Sequence, residues 1–266
     1  MMEEFYDGNK DFTENCFAIT FDDGFKDIYT NALPILKKHN LAACVFLTAD
    51  MINANDLLPH HKLYFIIKQY GIEAITKAIS QRYKYFTMPK PDFYYCHNPI
   101  DFRTDLEKTL CFQMASDAGK DLLNYLMKSF CVDDFAREAE QLYLNWSEII
   151  EMKGACITFG CHTCSHPILS KLTPEGQEKE ILECKRKIEE KIKEEVKYFA
   201  YPYGYPDTYN EQTLSILHEG GFSLAFIGVK KRSVSNFERF EIPRIVIGNM
   251  PIWEFSFEIL LSRRHN

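Results

Sequence analysis

Two adjacent carboxylates, Asp22 and Asp23, close a short apolar run, and two imidazoles, His162 and His166, stand four positions apart much later in the chain. Neighbouring carboxylates cannot both stay ionised cheaply unless a positive charge lies beside them, and a divalent metal would supply it. The spacing of the histidines predicts that one helical turn brings both rings to one side. Two imidazoles and one carboxylate leave a coordination position for water, the pattern of a catalytic rather than a structural ion. The other carboxylate is then free to act as a base. Two nitrogens and one oxygen suit zinc, and cobalt, manganese, nickel or iron can use the same ligands. Taken singly, Asp22-Asp23-Gly24 reads as an ordinary turn and His162 as a polar loop residue, so the combination carries the weight. Cys161 and Cys164 form a CxxC pair interleaved with the histidines. A structural zinc site there would crowd its ligands into one short loop at severe backbone strain, and a redox pair would need a helix-opening context this segment lacks.

The elements that must position these groups are legible as short apolar runs. Cys16 to Phe21 reads as a buried strand stopped by the aspartates, followed by a helical apolar face through Ile28, Ala32, Leu33, Ile35 and Leu36 and a second strand over Ala42 to Thr48. Strand, helix, strand over this length predicts a βαβ unit with a parallel sheet. From about 56 to 153 the rhythm breaks into helical patterns, such as Leu63 to Ile67 and Leu122 to Met127. Its irregular middle, Met88 to Pro99, includes the aromatic run Phe93-Tyr94-Tyr95. The βα rhythm resumes with strands at Cys156 to Gly160, Tyr198 to Tyr201, Leu224 to Ile227 and Glu241 to Ile247. Thr173-Pro174 opens a long charged helix and Gly220-Gly221 ends another. The expectation is a single α/β domain over 1–266, a barrel of β-then-α units with a helical insertion at about 56–153 after the second strand. In such barrels reactive groups sit where strands end, and there lie Asp22-Asp23, His162 and His166, Pro202-Tyr203-Gly204, and Pro243-Arg244.

Composition narrows the function. With 46% hydrophobic and 26% charged residues the chain can bury a sizeable core. A net charge of −7 and the lack of any Lys/Arg-rich block argue against nucleic acid or anionic lipid as partners. No apolar run reaches the roughly 18 residues a membrane span needs. Nine cysteines at irregular spacing, and an acidic N-terminus without the order of a signal peptide, predict free thiols and a cytoplasmic protein. The oligomeric state is not written in the sequence.

Thr20-Phe21-Asp22-Asp23-Gly24, His162-Thr163-Cys164-Ser165-His166-Pro167 and Tyr201-Pro202-Tyr203-Gly204, in this order, resemble the successive motifs of the polysaccharide deacetylases, carbohydrate esterase family four. The resemblance spans Cys16 to about Trp253 apart from the insertion. It implies a distorted, seven-stranded (β/α) TIM-like barrel and hydrolysis of an N-acetyl group on an amino sugar. It implies Asp22 as general base, Asp23, His162 and His166 as ligands of a divalent metal, most simply zinc, and the backbone N–H of Tyr203 as an oxyanion donor. A cytoplasmic setting would make the substrate a nucleotide- or lipid-linked sugar in surface polysaccharide synthesis.

The chain departs from that pattern twice. Ala200 stands where many members open the third motif with an Arg that orients the base, and Arg244 is the candidate substitute. Many members also carry a late His as general acid, whereas His218 sits on an expected helix and His265 in the tail. His60 and His61, just past the second strand, are the candidates for that acid, with His61 the one to test; the alternative is a solvent-exposed loop pair. Two rival functions follow: a deformylase or other non-peptide amidase using the same site, and a catalytically silent barrel that serves as a binding module.

Overall fold

The computed structural model of the chain describes residues 17–82, 117–132, 134–155, 157–228 and 238–247, together with 251, 253, 255 and 256. By contact density it divides into two compact units, one made of Met1–Asn53 with Leu142–Asn266 and the other of Ala54–Gln141. The expected break at 56–153 therefore runs past the second unit at its C-terminal side: the helix Trp146–Lys153 packs on strand and helix of the first unit.

The first unit is built on six parallel strands in sequential order, β1 (Ile19–Phe21), β2 (Ala43–Leu47), β3 (Ile157–Cys161), β4 (Tyr198–Ala200), β5 (Leu224–Ile227) and β6 (Ile242–Pro243). A seventh strand is not found among the described residues. Parallel neighbours need a crossover of a dozen or more residues, and helices supply it: α1 (Leu33–His39), α6 (Trp146–Lys153), α7 (Pro174–Ile192) and α8 (Glu211–Glu219). The run expected to be one helix from Ile28 begins instead with a wider π turn, Ile28–Ala32, before α1.

Local chemistry explains the helix ends. Thr173 Oγ1 accepts the Gly176 N–H and Pro174 occupies the first turn, so α7 starts where the sequence predicts. Asn145 and Asn210 close capping boxes with Glu148 and Thr213. Along α7, Ile181, Cys184, Ile188 and Ile192 recur on one face and are buried against the sheet, while its charged face stays solvated. Two apolar layers result. One lies between sheet and helices; the other, formed by Phe46, Ala200, Leu224, Phe226 and Ile242, lies on the opposite face of the strands. Gly160 is required there, because a Cβ on it would fall 2.5 Å from the Phe46 ring and 2.9 Å from the Tyr198 carbonyl.

The sheet curls. β1 and β6 stand at opposite ends of the strand order, yet Arg244, one residue beyond β6, meets Asp22, one residue beyond β1, at 2.7 Å. That contact brings the C-terminal ends of the first and last strands together.

The second unit carries the helices α2 (Pro59–Tyr70), α3 (Ile72–Arg82) and α4 (Asp117–Ser129), which pack on one another, and most of α5 (Ala136–Leu142). Leu63, Ile66, Ile75, Ile79 and Leu126 form its apolar core. The expected irregular stretch Met88–Pro99, with Phe93-Tyr94-Tyr95, lies outside the described residues. No described helix is long and apolar enough to cross a membrane.

Candidate active site

Asp23 is held by a tight turn. The Gly24 N–H donates to the Asp22 carbonyl at 2.9 Å, closing a three-residue turn with Asp23 at its centre at φ 69°. A second turn of the same kind lies after β4, where Gly204 N–H donates to the Pro202 carbonyl at 2.7 Å and Tyr203 sits at φ 64°. Three-residue turns with a positive-φ centre are rare and strained, costing on the order of 1–3 kcal/mol each, and such strain gathers at functional sites. Gly204 is itself at φ 67°, and a Cβ there would fall 2.2 Å from the Gly228 backbone nitrogen. Only glycine lets the two segments touch, with Gly228 N–H donating to the Gly204 carbonyl at 2.8 Å.

The histidines converge, but not by a helical turn. Residues 162–166 form a loop in which Thr163 and His166 adopt φ 65° and 58°. A β-branched and a bulky residue in the left-handed region need outside support. Thr163 Oγ1 supplies part of it, donating to the His162 carbonyl at 2.6 Å and accepting the His166 N–H at 3.0 Å. The loop is tied back to the turn after β2, because Ala49 N–H donates to the Thr163 carbonyl and Asp50 N–H to that of Cys164.

The result is a cluster. His162 Nε2 and His166 Nε2 each lie 3.4 Å from the same oxygen, Asp23 Oδ1. One ligand atom from each of the three residues falls within 4.8 Å of the other two, and this is the one such grouping found among the described residues. His162 Nδ1 lies 2.7 Å from the Ala200 carbonyl. That contact assigns the ring proton to Nδ1 and leaves the Nε2 lone pair facing Asp23. Asp23 Oδ1 is buried and has no hydrogen-bond partner among the described residues. Burial, with the charge of Asp22 adding to it and His162 and Arg244 opposing, pushes the Asp23 carboxyl up to about 6. A buried carboxylate oxygen with an imidazole nitrogen of each histidine 3.4 Å from it is a donor set that a cation would satisfy. Its nitrogen and oxygen composition fits a divalent metal.

Asp22 is treated differently. Arg244 donates to both of its oxygens at 2.7 Å, from Nη1 to Oδ1 and from Nη2 to Oδ2. Nη1 also donates to Thr20 Oγ1 at 3.2 Å, and the guanidinium lies 5.6 Å from the Phe46 ring centre. Burial raises the Asp22 carboxyl, but Arg244 and then His162 outweigh it and hold the group below the usual carboxylate range. Asp22 is therefore an ionised, oriented carboxylate beside the cluster, the requirement for a general base.

The structure thus brings together Asp22, Asp23, His162, His166 and Arg244. It also sets Tyr203 beside them, its ring edge-on to His166 at 4.9 Å between centroids. His61 belongs to the second unit, on the first turn of α2, half-buried with its ring 4.2 Å from that of His60. Burial first and His60 second push its imidazole down to about 3, so it is neutral near neutral pH. The pair is helical, not the loop pair weighed as the alternative. His218 lies on α8 as expected, and His265 lies outside the described residues. Cys161 and Cys164 turn away from the histidines: Cys161 shares a hydrogen bond with Cys184 of α7, and burial raises both thiols of the CxxC pair. The supporting roles of Thr20, Thr163 and Phe46 escape the sequence reading, although Thr20 and Thr163 stand within its first and second motifs.

Residues 9–64 and 112–225 match the family model for polysaccharide deacetylases. A Bacillus subtilis (strain 168) protein provisionally named polysaccharide deacetylase YxkH is 34% identical over 67 residues, which cover 25% of this chain and 24% of that one. The match thus spans about a quarter of the curated relative. Among solved structures, the Streptococcus pyogenes deacetylase PplD in complex with acetate aligns with TM-score 0.55 at 17% identity, over 97% of this chain and 76% of that one. IcaB from Ammonifex degensii aligns with TM-score 0.54 at 16% identity, over 98% and 78%. A de-N-acetylase from Aggregatibacter actinomycetemcomitans gives TM-score 0.54 at 11% identity, over 96% and 79%. These likenesses support the fold.

Proposed function

The chain belongs to the polysaccharide deacetylase family, and on that premise we propose that it is a metal-dependent hydrolase that removes an N-acetyl group from an amino sugar. The observation that carries this reading is the buried Asp23 Oδ1, without a hydrogen-bond partner among the described residues and facing two imidazole nitrogens, beside a second carboxylate held ionised by Arg244. Asp23, His162 and His166 would hold the ion, zinc being the simplest fit. When bound, that ion supplies Lewis acidity toward a water nucleophile and the amide carbonyl. Asp22 takes the proton of the attacking water on a lone pair not engaged by Arg244, and the two-pronged contact with Arg244, which stands in for the Arg missing at Ala200, fixes the carboxylate's orientation. The Tyr203 backbone N–H donates to the carbonyl oxygen as it gains charge. The leaving nitrogen must then gain a proton. Asp22, newly protonated, can return the one it took. His61 is the other candidate, and its depressed basicity speaks against it. A His61→Ala chain that keeps its metal but loses more than tenfold in kcat would transfer the role to His61.

The free thiols Cys44, Cys131, Cys161, Cys164 and Cys184 support a reducing compartment, hence a cytoplasmic site of action on a nucleotide- or lipid-linked sugar in surface polysaccharide synthesis. The family match leaves 65–111 uncovered, and these residues fall within the second unit, which supports its reading as an insertion. Assaying acetate and formate in parallel on N-acetyl and N-formyl amino sugars tests the reaction. Acetate release that depends on added metal is expected; formate release alone would make the chain a deformylase, and bound metal without turnover of either would make it a binding module.

A further inference from the structure

We propose that Glu180, on α7, is a positioning residue for the metal-ligand loop: its carboxylate clamps Ser165 and so fixes the backbone that aims His166 at Asp23. Two contacts make the clamp, Ser165 N–H to Glu180 Oε2 at 2.8 Å and Ser165 Oγ–H to Oε1 at 2.7 Å. A third runs from the Cys164 N–H to the Glu180 backbone carbonyl at 3.1 Å. Three contacts from one residue of a long, N-capped helix reach the two residues that precede His166. On the other side of the loop, Asp50 N–H donates to the Cys164 carbonyl at 3.0 Å, and the Asp50 carboxylate is in turn held by Lys187, also on α7. The loop is therefore gripped from two sides by groups borne on or tied to one helix.

The grip is needed because the loop does not hold itself. His166 sits at φ 58° and Thr163 at φ 65°, and for a β-branched residue such as Thr163 the left-handed region is an outlier that its surroundings must impose. Thr163 Oγ1 stabilises the turn from within, but nothing in that contact sets where the turn lies relative to Asp23 in the turn after β1. Glu180 does so from α7, whose apolar face is locked into the core by Ile181 and Cys184. Groups that orient metal ligands without touching the ion typically contribute tenfold to a hundredfold in affinity, and Glu180 acts through one further residue, so about tenfold is expected.

This role rests on the reading of Asp23, His162 and His166 as metal ligands, and the experiment separates the two. Cobalt(II) is titrated into the metal-free full chain and its visible absorption followed, for the wild type, E180A, E180Q, S165A and the double variant S165A/E180A, with thermal midpoints measured on the same samples. The wild type is expected to take up one equivalent. E180A should bind about tenfold more weakly with an altered absorption spectrum, and E180Q, which keeps one accepting oxygen, should recover part of that loss. The double variant should be no weaker than E180A, since both remove the same clamp. If E180A does not fold, E180Q and S165A carry the same comparison. Binding by E180A within twofold of the wild type, or a lower thermal midpoint with unchanged affinity and spectrum, would overturn the clamp and leave the metal site standing. Full additivity of the S165A and E180A losses would also overturn it. A wild type that takes up no cobalt would remove the metal reading and the clamp with it.

Discussion

Both compact units bury ionisable groups at the ends of ordinary elements, and they dispose of the charge in opposite ways. In the helical unit His61 is half-buried next to His60 and answers by giving up its proton, falling to about 3. In the sheet unit Asp22 is half-buried too, yet Arg244 keeps it ionised, and Asp23 is left at about 6 with an oxygen that no described group satisfies. A fold that discharges a buried group is following the cheapest course; one that retains charge and strains its backbone to do so is holding it for use. Of the eight non-glycine residues at positive φ among the described residues, four, Asp23, Thr163, His166 and Tyr203, lie on the loops after β1, β3 and β4, while Asn40, Asn53, Cys131 and Lys193 lie elsewhere.

The contrast can be broken most severely at Asp22. Asp22→Asn should lower kcat by about 10²–10⁴-fold while the chain keeps its metal, because the change removes a base and no ligand. Unaltered turnover would show that the retained charge serves only structure. Next in size is Gly204→Ala, which sets a methyl group into the Gly228 backbone at a left-handed position. A stability loss of about 2–4 kcal/mol in urea unfolding is expected, and a wild-type midpoint would mean the turn is less constrained than its geometry says. Arg244→Ala should cost about 10²-fold in kcat with KM little changed. Arg244→Lys should recover little of it, since an ammonium cannot donate to both oxygens in the same way. Full recovery by lysine would reduce the contact to bulk charge.

A pH titration of stability tests the other side of the contrast. His61 has a folded pKa below its unfolded value of 6.5, so between about 6.5 and 3 the unfolded chain binds a proton that the folded chain does not. Stability contributed by this group is thus present above pH 6.5 and lost as the pH falls. The loss at pH 4 is on the order of 3 kcal/mol, and His61→Leu should remove that pH dependence. Equal pH slopes in the two proteins would show that His61 is solvated and free to protonate.

The order of strands and the loops that carry the chemistry could be read from short apolar runs stopped by Asp22 and His162, because burial on both faces makes parallel strands continuous apolar segments. The way the histidines meet could not. Spacing of four suggests a helical turn, whereas Thr163 and His166 reach the same end through left-handed backbone that tertiary contacts impose. The pairing of Arg244 with Asp22 came only through the family resemblance, as a substitute for the Arg that orients the base, since 222 positions separate the two and the curl of the sheet joins them. Residue types can announce a site, but the contacts that orient it depend on how distant strand ends are brought together.

The central claim is that the two adjacent aspartates have different jobs, and metal content measured beside acetate release for Asp22→Asn and Asp23→Asn tests it directly. Both changes are isosteric. The account predicts that Asp22→Asn keeps one equivalent of metal and releases acetate at least about 10²-fold more slowly, while Asp23→Asn loses the metal. An Asp23→Asn chain that binds the ion as tightly as the wild type, or an Asp22→Asn chain that releases acetate at the wild-type rate, would contradict it.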